Sequence, residues 1–151
     1  MTENKRTGKK FNLKLPLETA NLELIRDFVS RIAQNMGFSD ENIHRIELAV
    51  DEASTNVIKH AYKDARSNKK FLVIEVIVYQ DRIEIDVIDR GQGFDPKKIK
   101  TPEMDEYLKK MKRGGLGLYL IKTLMDKVDY TIKPGIRNRV RMVKFKPKVK
   151  S

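Results

Sequence analysis

The sequence predicts an α+β domain of two layers, a mostly antiparallel mixed sheet covered on one face by about three helices. Two amphipathic helical patterns precede a β-hairpin pattern, and a third helix and two more strands follow it. In the second hairpin strand, Ile83, Ile85 and Val87 alternate with Glu84 and Asp86. One face of that strand should therefore be buried and the other wet, as in an antiparallel sheet that helices cover on a single side.

The first half of the chain predicts one strand and two helices. Apolar residues alternate over 11–17, and Pro16 within that run favours an edge strand or a strand end. The first helix is predicted over about 19–37. Ser39 fits the N-cap of the second helix, which is expected to run to about Tyr62. The apolar stripe of this second helix comprises Ile43, Ile46, Val50, Ala53 and Val57.

The second half predicts a hairpin, a long connection, a helix and two strands. Residues 94–114 form the connection, and connections of that length in compact domains are usually functional lids or disordered segments. In the last strand the alternation of basic residues slips phase at 142–143, which predicts a bulge or an early strand end. The expected elements are strands over Phe71–Tyr79 and Ile83–Asp89, a helix over Gly117–Lys127, and strands near 128–133 and 138–146.

Length and charge indicate one domain with basic ends. The 151 residues divide into a basic arm over 1–10, a domain over 11–146 with its lid at about 94–114, and a basic tail over 147–151. The net charge of +11 lies in residues 1–10 and 130–151, because the middle of the chain carries equal numbers of acids and bases. Basic ends can dock an acidic partner, nucleic acid or an anionic membrane.

Composition also excludes several classes of protein. Cysteine is absent, which rules out disulfides, zinc-thiolate sites and thiol nucleophiles. No apolar run is long enough to span a bilayer and no secretory signal is visible, so a cytoplasmic protein without a membrane partner is expected. No aromatic residues interleave with the basic ones as a stacking platform for nucleic acid requires, so direct nucleic-acid binding is not expected.

The second predicted helix carries a carboxylate and a carboxamide one turn apart. Glu52 and Asn56 stand at i and i+4, so they are neighbours on one helical face. Such a pair can hold a hydrated hard cation and orient a hydroxyl group or a water molecule beside it. The same pair is common on solvated helices, and its meaning depends on the motifs that follow.

Two glycine motifs follow the hairpin. Asp89, Gly91 and Gly93 close its second strand; glycine lets a flat ligand approach the backbone, and the aspartate can accept a hydrogen bond from an exocyclic amine such as that of adenine. The run Arg113-Gly114-Gly115-Leu116-Gly117 opens the third helix, where free N–H groups and the arginine suit an anion. Taken singly, the first motif could be an ordinary turn and the second a flexible hinge.

The three motifs in this order resemble the N box and the first two glycine boxes of the GHKL (Bergerat) ATP-binding family. The likeness is strongest to the anti-sigma-factor serine/threonine-protein kinases of bacterial stress and sporulation switches. It rests on Glu-Ala-Ser-Thr-Asn at 52–56, followed by His-Ala-Tyr at 60–62. The resemblance covers roughly residues 10–146.

The resemblance implies a role for each motif residue. Glu52 would orient or deprotonate a serine hydroxyl or a water, and Asn56 would give its side-chain oxygen to Mg²⁺. Asp89 would bind the adenine amine of ATP. The remaining residues would admit the base, cradle the phosphates or offer charge to the terminal phosphate: Gly91, Gly93, Arg113, Gly114, Gly115 and Gly117. The family's last strand often begins with a Gly-Thr pair that touches the adenine region, and Asn138-Arg139-Val140 stands here instead, so that contact is not carried over.

The function that the resemblance implies is an ATP-dependent protein-serine kinase acting as an anti-sigma factor. It would phosphorylate a small antagonist protein, sequester a sigma factor and form a homodimer. The main alternative is an ATP-gated switch of the same fold with little or no kinase activity. Histidine-kinase catalysis needs a phosphoacceptor domain for which the neutral body leaves no room. A nucleic-acid-binding protein is the alternative that the basic ends suggest.

Overall fold

The computed structural model describes residues 8–60, 71–90, 116–133 and 136–147. Within these ranges the chain forms five strands, three α-helices and a short 3₁₀ turn. The strands are β1 (Lys9–Pro16), β2 (Phe71–Val78), β3 (Arg82–Asp89), β4 (Lys127–Lys133) and β5 (Arg137–Phe145). The helices are α1 (Leu22–Asn35), α2 (Asp40–His60) and α3 (Leu116–Leu124), and the 3₁₀ turn at Thr19–Asn21 leads into α1.

The strands form one sheet in the order β1-β2-β3-β5-β4. All four pairings are antiparallel, so no parallel pair occurs among the described strands. The expected two-layer α+β architecture is confirmed. β1 is an edge strand, and Pro16, which has no N–H to give a ladder, is its last residue.

The core lies between the helices and one face of the sheet, which we call the inner face. Alternate residues of β2 and β3 meet there and are at most 1% exposed; they are Leu72, Ile74, Val76, Ile83, Ile85 and Val87. From α1 come Ile25, Val29 and Ala33, all fully buried. The whole predicted stripe of α2 is buried as well. Each buried Val, Leu or Ile side chain contributes about 1.5–3 kcal/mol when removed from water, so this layer fixes α2 against the sheet.

Capping fixes the junction between α1 and α2. Gly37 adopts φ 88°, and its N–H donates to Gln34 O at 3.0 Å while the Phe38 N–H donates to Ala33 O at 3.3 Å. This is a Schellman ending, which glycine accommodates without steric cost. The predicted N-cap is confirmed, because the Asn42 N–H donates to Ser39 Oγ at 3.2 Å.

Two boundary predictions were wrong. The third helix was predicted to reach Lys127 but ends at Leu124. The chain then turns, and the Asp126 N–H donates a hydrogen bond to Val143 O at 2.9 Å. β5 has no bulge at 142–143 and keeps one register with β3 along its length. The phase slip has another cause: Lys144 points to the inner face, where it is 7% exposed and its Nζ donates to Leu124 O at 3.1 Å. A buried lysine, rather than an extra residue, breaks the alternation.

The opposite, outer face of the sheet is less exposed to solvent than the alternation of apolar and acidic residues in β3 predicted. Asp86 on this face is only 1% exposed. Arg141 lies directly across from it on β5 and donates from Nε to Oδ1 at 2.9 Å and from Nη2 to Oδ2 at 3.0 Å. The guanidinium therefore covers the carboxylate. Ile88 and Val143, at 8% and 5% exposed, add to this buried patch.

Candidate functional site

The face of α2 that carries Glu52 and Asn56 differs from the face that packs against α1. On the α1 side, Arg26 Nη1 donates to Asp51 Oδ1 at 2.9 Å, and Ser30 Oγ donates to Glu47 Oε1 at 3.1 Å. Glu52 and Asn56 are half-buried, and neither head group has a hydrogen-bond or ion-pair partner among the described residues. Of the three neighbouring acids on this stretch of helix, the structure thus leaves Glu52 available for another task.

Asp89 lies at the end of β3 on the inner face, the side of the sheet that the helices cover. It is 6% exposed and stands directly across from Asn138 at the start of β5. Asn138 Nδ2 donates to Asp89 Oδ1 at 3.0 Å. The pairing of two strands therefore joins residues that are 49 positions apart in the chain. Sequence reasoning missed this partner; the only signal was its place at the start of the last strand.

The carboxamide of Asn138 has one end engaged and one end unpaired. An ionised carboxylate only accepts hydrogen bonds, so the end of the amide that faces Asp89 must be the NH₂ group. The other end, Oδ1, is buried and has no hydrogen-bond partner in the described part of the chain. Asn138 as a whole is 9% exposed. A buried acceptor thus lies beside a buried carboxylate.

Tyr130 is a further polar group on the inner face. It stands on β4 opposite Val140, which is two positions along β5 from Asn138. Its hydroxyl is buried without a partner among the residues described. Burial raises the pKa of Tyr130 to about 12, because the charged phenolate would lose its hydration.

The glycine motifs are only partly covered by the structure. Gly91, Gly93, Arg113 and the Gly114-Gly115 pair lie outside the described residues. Gly117 is the second residue of α3, so the helix begins directly after the Gly114-Gly115 pair. A helix start at the glycine run was the expectation, and the N-terminus of a helix offers free N–H groups to an anion.

The described residues contain neither a cluster of metal ligands nor a membrane-spanning helix. No group of three or more His, Asp or Glu side chains that could hold a metal ion occurs among the residues described. Among the described helices, none has the length and apolar character to cross a membrane.

Comparison with known proteins identifies the class to which this fold and site belong. The family model described as the histidine kinase-like ATPase domain matches residues 15–144. That range spans most of the chain and includes α2, β3 and the start of α3. The chain belongs to the histidine kinase-like ATPase domain family.

Within this family, the chain is similar to proteins named as serine-protein kinases. The serine-protein kinase RsbW of Bacillus licheniformis is 38% identical over 145 residues, which is 93% of this chain and 88% of the relative. The proteins of the same name from Bacillus pumilus and Listeria monocytogenes are 37% and 38% identical, covering 88% and 84% of this chain and 83% and 82% of the relatives. The family recognised from the motifs is confirmed, and these names support the interpretation as a protein-serine kinase.

A solved structure supports the fold alone. The RsbU and RsbW domains of a Mycobacterium tuberculosis protein superpose with a TM-score of 0.65 at 15% sequence identity. The match covers 92% of this chain and 33% of that longer chain.

Proposed function

We propose that the protein is an ATP-dependent protein-serine kinase that acts as an anti-sigma factor. It transfers the terminal phosphoryl group of ATP to a serine of a small antagonist protein, and it sequesters a sigma factor when the antagonist is phosphorylated. The observation that carries this proposal is the pair on α2. In a chain of this ATPase family, Glu52 and Asn56 have no hydrogen-bond or ion-pair partners among the described residues, whereas Glu47 and Asp51 are both engaged with α1.

Glu52 acts on the serine hydroxyl. Its carboxylate accepts a hydrogen bond from the attacking hydroxyl and takes its proton as the bond to phosphorus forms. Phosphoryl transfer requires little covalent participation from the protein, so positioning and charge neutralisation supply most of the acceleration. A carboxylate already paired with an arginine, such as Asp51, is unsuited to this task.

Asn56 has the chemistry to hold Mg²⁺. Its neutral side-chain oxygen is the hard donor that magnesium accepts, and no described residue competes for it. Magnesium keeps several waters and usually takes only one or two protein ligands beside substrate phosphates, so a single carboxamide on α2 is enough for the protein's share. When bound, the ion neutralises charge on the phosphates.

The nucleotide is held by residues of the sheet and of the helical layer. Asp89 accepts a hydrogen bond from the adenine amine, and the start of α3 at Leu116 directs N–H groups to phosphate. The resemblance adds Gly91 and Gly93 beside the base. It also adds Arg113, Gly114, Gly115 and Gly117 around the phosphates.

The test is transfer of label from γ-labelled ATP to the cognate antagonist protein. Wild type should label a serine, whereas Glu52→Ala should lose labelling while still binding ATP. Asn56→Ala should lose both labelling and the Mg²⁺ dependence of ATP binding. Glu41→Gln is the matched control, since Glu41 lies on the same helix with a side chain that is 75% exposed. It should label at the wild-type rate.

Three outcomes would count against this assignment in different ways. Unchanged labelling in both site variants would remove Glu52 and Asn56 from the catalytic machinery. ATP binding by wild type without transfer to any partner would favour the rival function, an ATP-gated switch of the same fold. Salt-dependent DNA binding that survives removal of both basic ends would support a nucleic-acid function instead.

The partners and assembly belong to the same proposal. The sigma factor and the antagonist are the protein partners, and the protein acts in the cytoplasm as a homodimer. β1 supports the dimer, because its outer edge pairs with no other described strand and so presents backbone groups to a partner. Sedimentation of a monomer at micromolar concentration would contradict the homodimer.

A further inference from the structure

We propose that Asn138 is a base-specificity residue that makes the nucleotide site select adenine over bases with an oxygen at the same position. Asn138 and Asp89 together form a receptor of two acceptors for one exocyclic amino group. This inference deepens the proposed function, because it assumes that Asp89 binds the base of the nucleotide.

The geometry of the pair is the first observation. Both side chains lie on the inner face, at the end of β3 and the start of β5, and they are 6% and 9% exposed. The 3.0 Å bond from Asn138 Nδ2 to Asp89 Oδ1 fixes which way the amide points. The carboxamide oxygen is therefore held beside the carboxylate rather than rotating freely.

The unpaired state of that oxygen is the second observation. Asn138 Oδ1 is buried without a hydrogen-bond partner in the described part of the molecule. Leaving a buried acceptor unpaired costs about 1–3 kcal/mol, so such a group calls for a ligand or another explanation. The other buried atoms without a partner are Ser54 Oγ, Tyr130 OH and Arg139 Nε. Of these four atoms, only Asn138 Oδ1 belongs to a side chain hydrogen-bonded to Asp89.

The chemistry of the base follows from the donors and acceptors. The exocyclic amine of adenine presents two N–H groups, and a carboxylate has about four acceptor positions. Asp89 can accept one N–H while it also accepts from Asn138, and Asn138 Oδ1 can accept the other. Hypoxanthine, the base of inosine triphosphate, places an oxygen at the same position. That oxygen would face two acceptors, with no donor to meet it.

The amide should discriminate more strongly than a hydroxyl in its place. A threonine hydroxyl rotates and can either donate or accept, so it could donate to the hypoxanthine oxygen. The Asn138 amide cannot, because its NH₂ group is committed to Asp89. Asn138, which stands where the family often has its Gly-Thr pair, thus sharpens base selection.

The test compares ATP and inosine triphosphate binding by calorimetry on the same preparation of each variant. Wild type should favour ATP by more than about 100-fold, as expected for a site whose buried polar groups the wrong base leaves unpaired. Asn138→Thr should lower the ratio of the two dissociation constants about tenfold or more. Asn12→Thr makes the same chemical change at an exposed position of β1 and should leave the ratio unchanged.

The ratio makes the result independent of how much of each preparation is folded, because both nucleotides report on the same active fraction. An unchanged ratio in Asn138→Thr, with ATP still bound, would overturn this inference and leave the proposed function standing. A wild-type protein that binds ATP and inosine triphosphate equally would also overturn it. A wild-type protein that binds neither nucleotide would overturn both.

Discussion

Two buried aspartates on β3 face opposite sides of the sheet and are treated differently by the fold. Asp86 on the outer face is held by the charged Arg141 through two hydrogen bonds of 2.9 and 3.0 Å. Asp89 on the inner face lies across from the neutral Asn138, whose own oxygen has no hydrogen-bond partner among the residues described. Each partner comes from the β5 position directly opposite. The same residue type, in the same pairing, thus meets a charged partner on one face and, on the other, a neutral partner whose oxygen has no hydrogen bond within the described residues.

The outer pair is electrostatically complete. The hydrogen bond with Asp86 raises the pKa of Arg141 above its ordinary value, and burial acts in the opposite direction. The guanidinium stays charged and makes a bidentate pair of hydrogen bonds with the carboxylate. Both charged groups are therefore hydrogen-bonded without any ligand. In the inner pair, by contrast, Asn138 Oδ1 has no hydrogen-bond partner in the described part of the chain.

Asp89→Asn should have the largest effect on function. Removing the carboxylate places a second amide beside Asn138 and takes away the charged acceptor for the adenine amine. ATP affinity should fall about 100-fold or more, since the buried donor of the base would be left poorly paired. The free energy of unfolding should fall less than in Asp86→Asn, because the residue opposite on β5 is a neutral amide rather than a guanidinium. Calorimetric titration and urea unfolding measure the two quantities; unchanged affinity would remove Asp89 from the site.

Asp86→Asn makes the same substitution three residues earlier and should give the reverse pattern. It removes a buried charge from a bidentate pair and leaves Arg141 without its counter-ion. The free energy of unfolding should fall by about 2 kcal/mol, less than for a fully buried pair because Arg141 is 29% exposed. The dissociation constant for ATP should stay at the wild-type value. If Asp86→Asn has normal stability but weakened ATP binding, the assignment of a structural role to Asp86 and a binding role to Asp89 is wrong.

Arg141→Lys should test how much of the stability given by the Asp86–Arg141 pair depends on its bidentate geometry. Lysine keeps the charge but cannot make the two parallel bonds of a guanidinium. We expect a loss of about 1 kcal/mol in the free energy of unfolding, smaller than that of Asp86→Asn. Urea unfolding at matched pH measures it, and a loss as large as that of Asp86→Asn would mean that charge alone is insufficient.

The smallest expected effect concerns the pKa of Tyr130, which tests the burial of an inner-face side chain in the absence of a ligand. Its pKa is raised from 10.0 to about 12, so the neutral phenol is favoured in the folded state. The stability that this shift provides is complete below pH 10 and is lost as the pH rises towards 12. An ultraviolet titration of phenolate should show one late-titrating tyrosine that is missing in Tyr130→Phe. If the tyrosine lost from Tyr130→Phe is instead one that titrates near pH 10, the Tyr130 hydroxyl lies in water.

Features governed by local sequence were predicted from the sequence alone. The α2 stripe, the Ser39 cap and the hairpin of β2 and β3 depend on neighbours within a few residues, and they were confirmed. The bulge at 142–143 was wrong because the buried partner of Lys144 is a carbonyl 20 residues away. The bond between Asp89 and Asn138 required the register of two strands, which no local pattern contains. The Glu52 and Asn56 roles stay predictions, as do those of the glycines and Arg113.

A single-turnover measurement of phosphoryl transfer tests the central claim most directly. Wild type and Glu52→Gln are each saturated with ATP and Mg²⁺ and mixed with the antagonist protein, and phosphoserine is followed by mass spectrometry. The rate of transfer in Glu52→Gln should fall by about 10²–10⁴-fold, the usual contribution of a general base, while the dissociation constant for ATP is unchanged. Equal transfer rates in the two proteins would contradict the account.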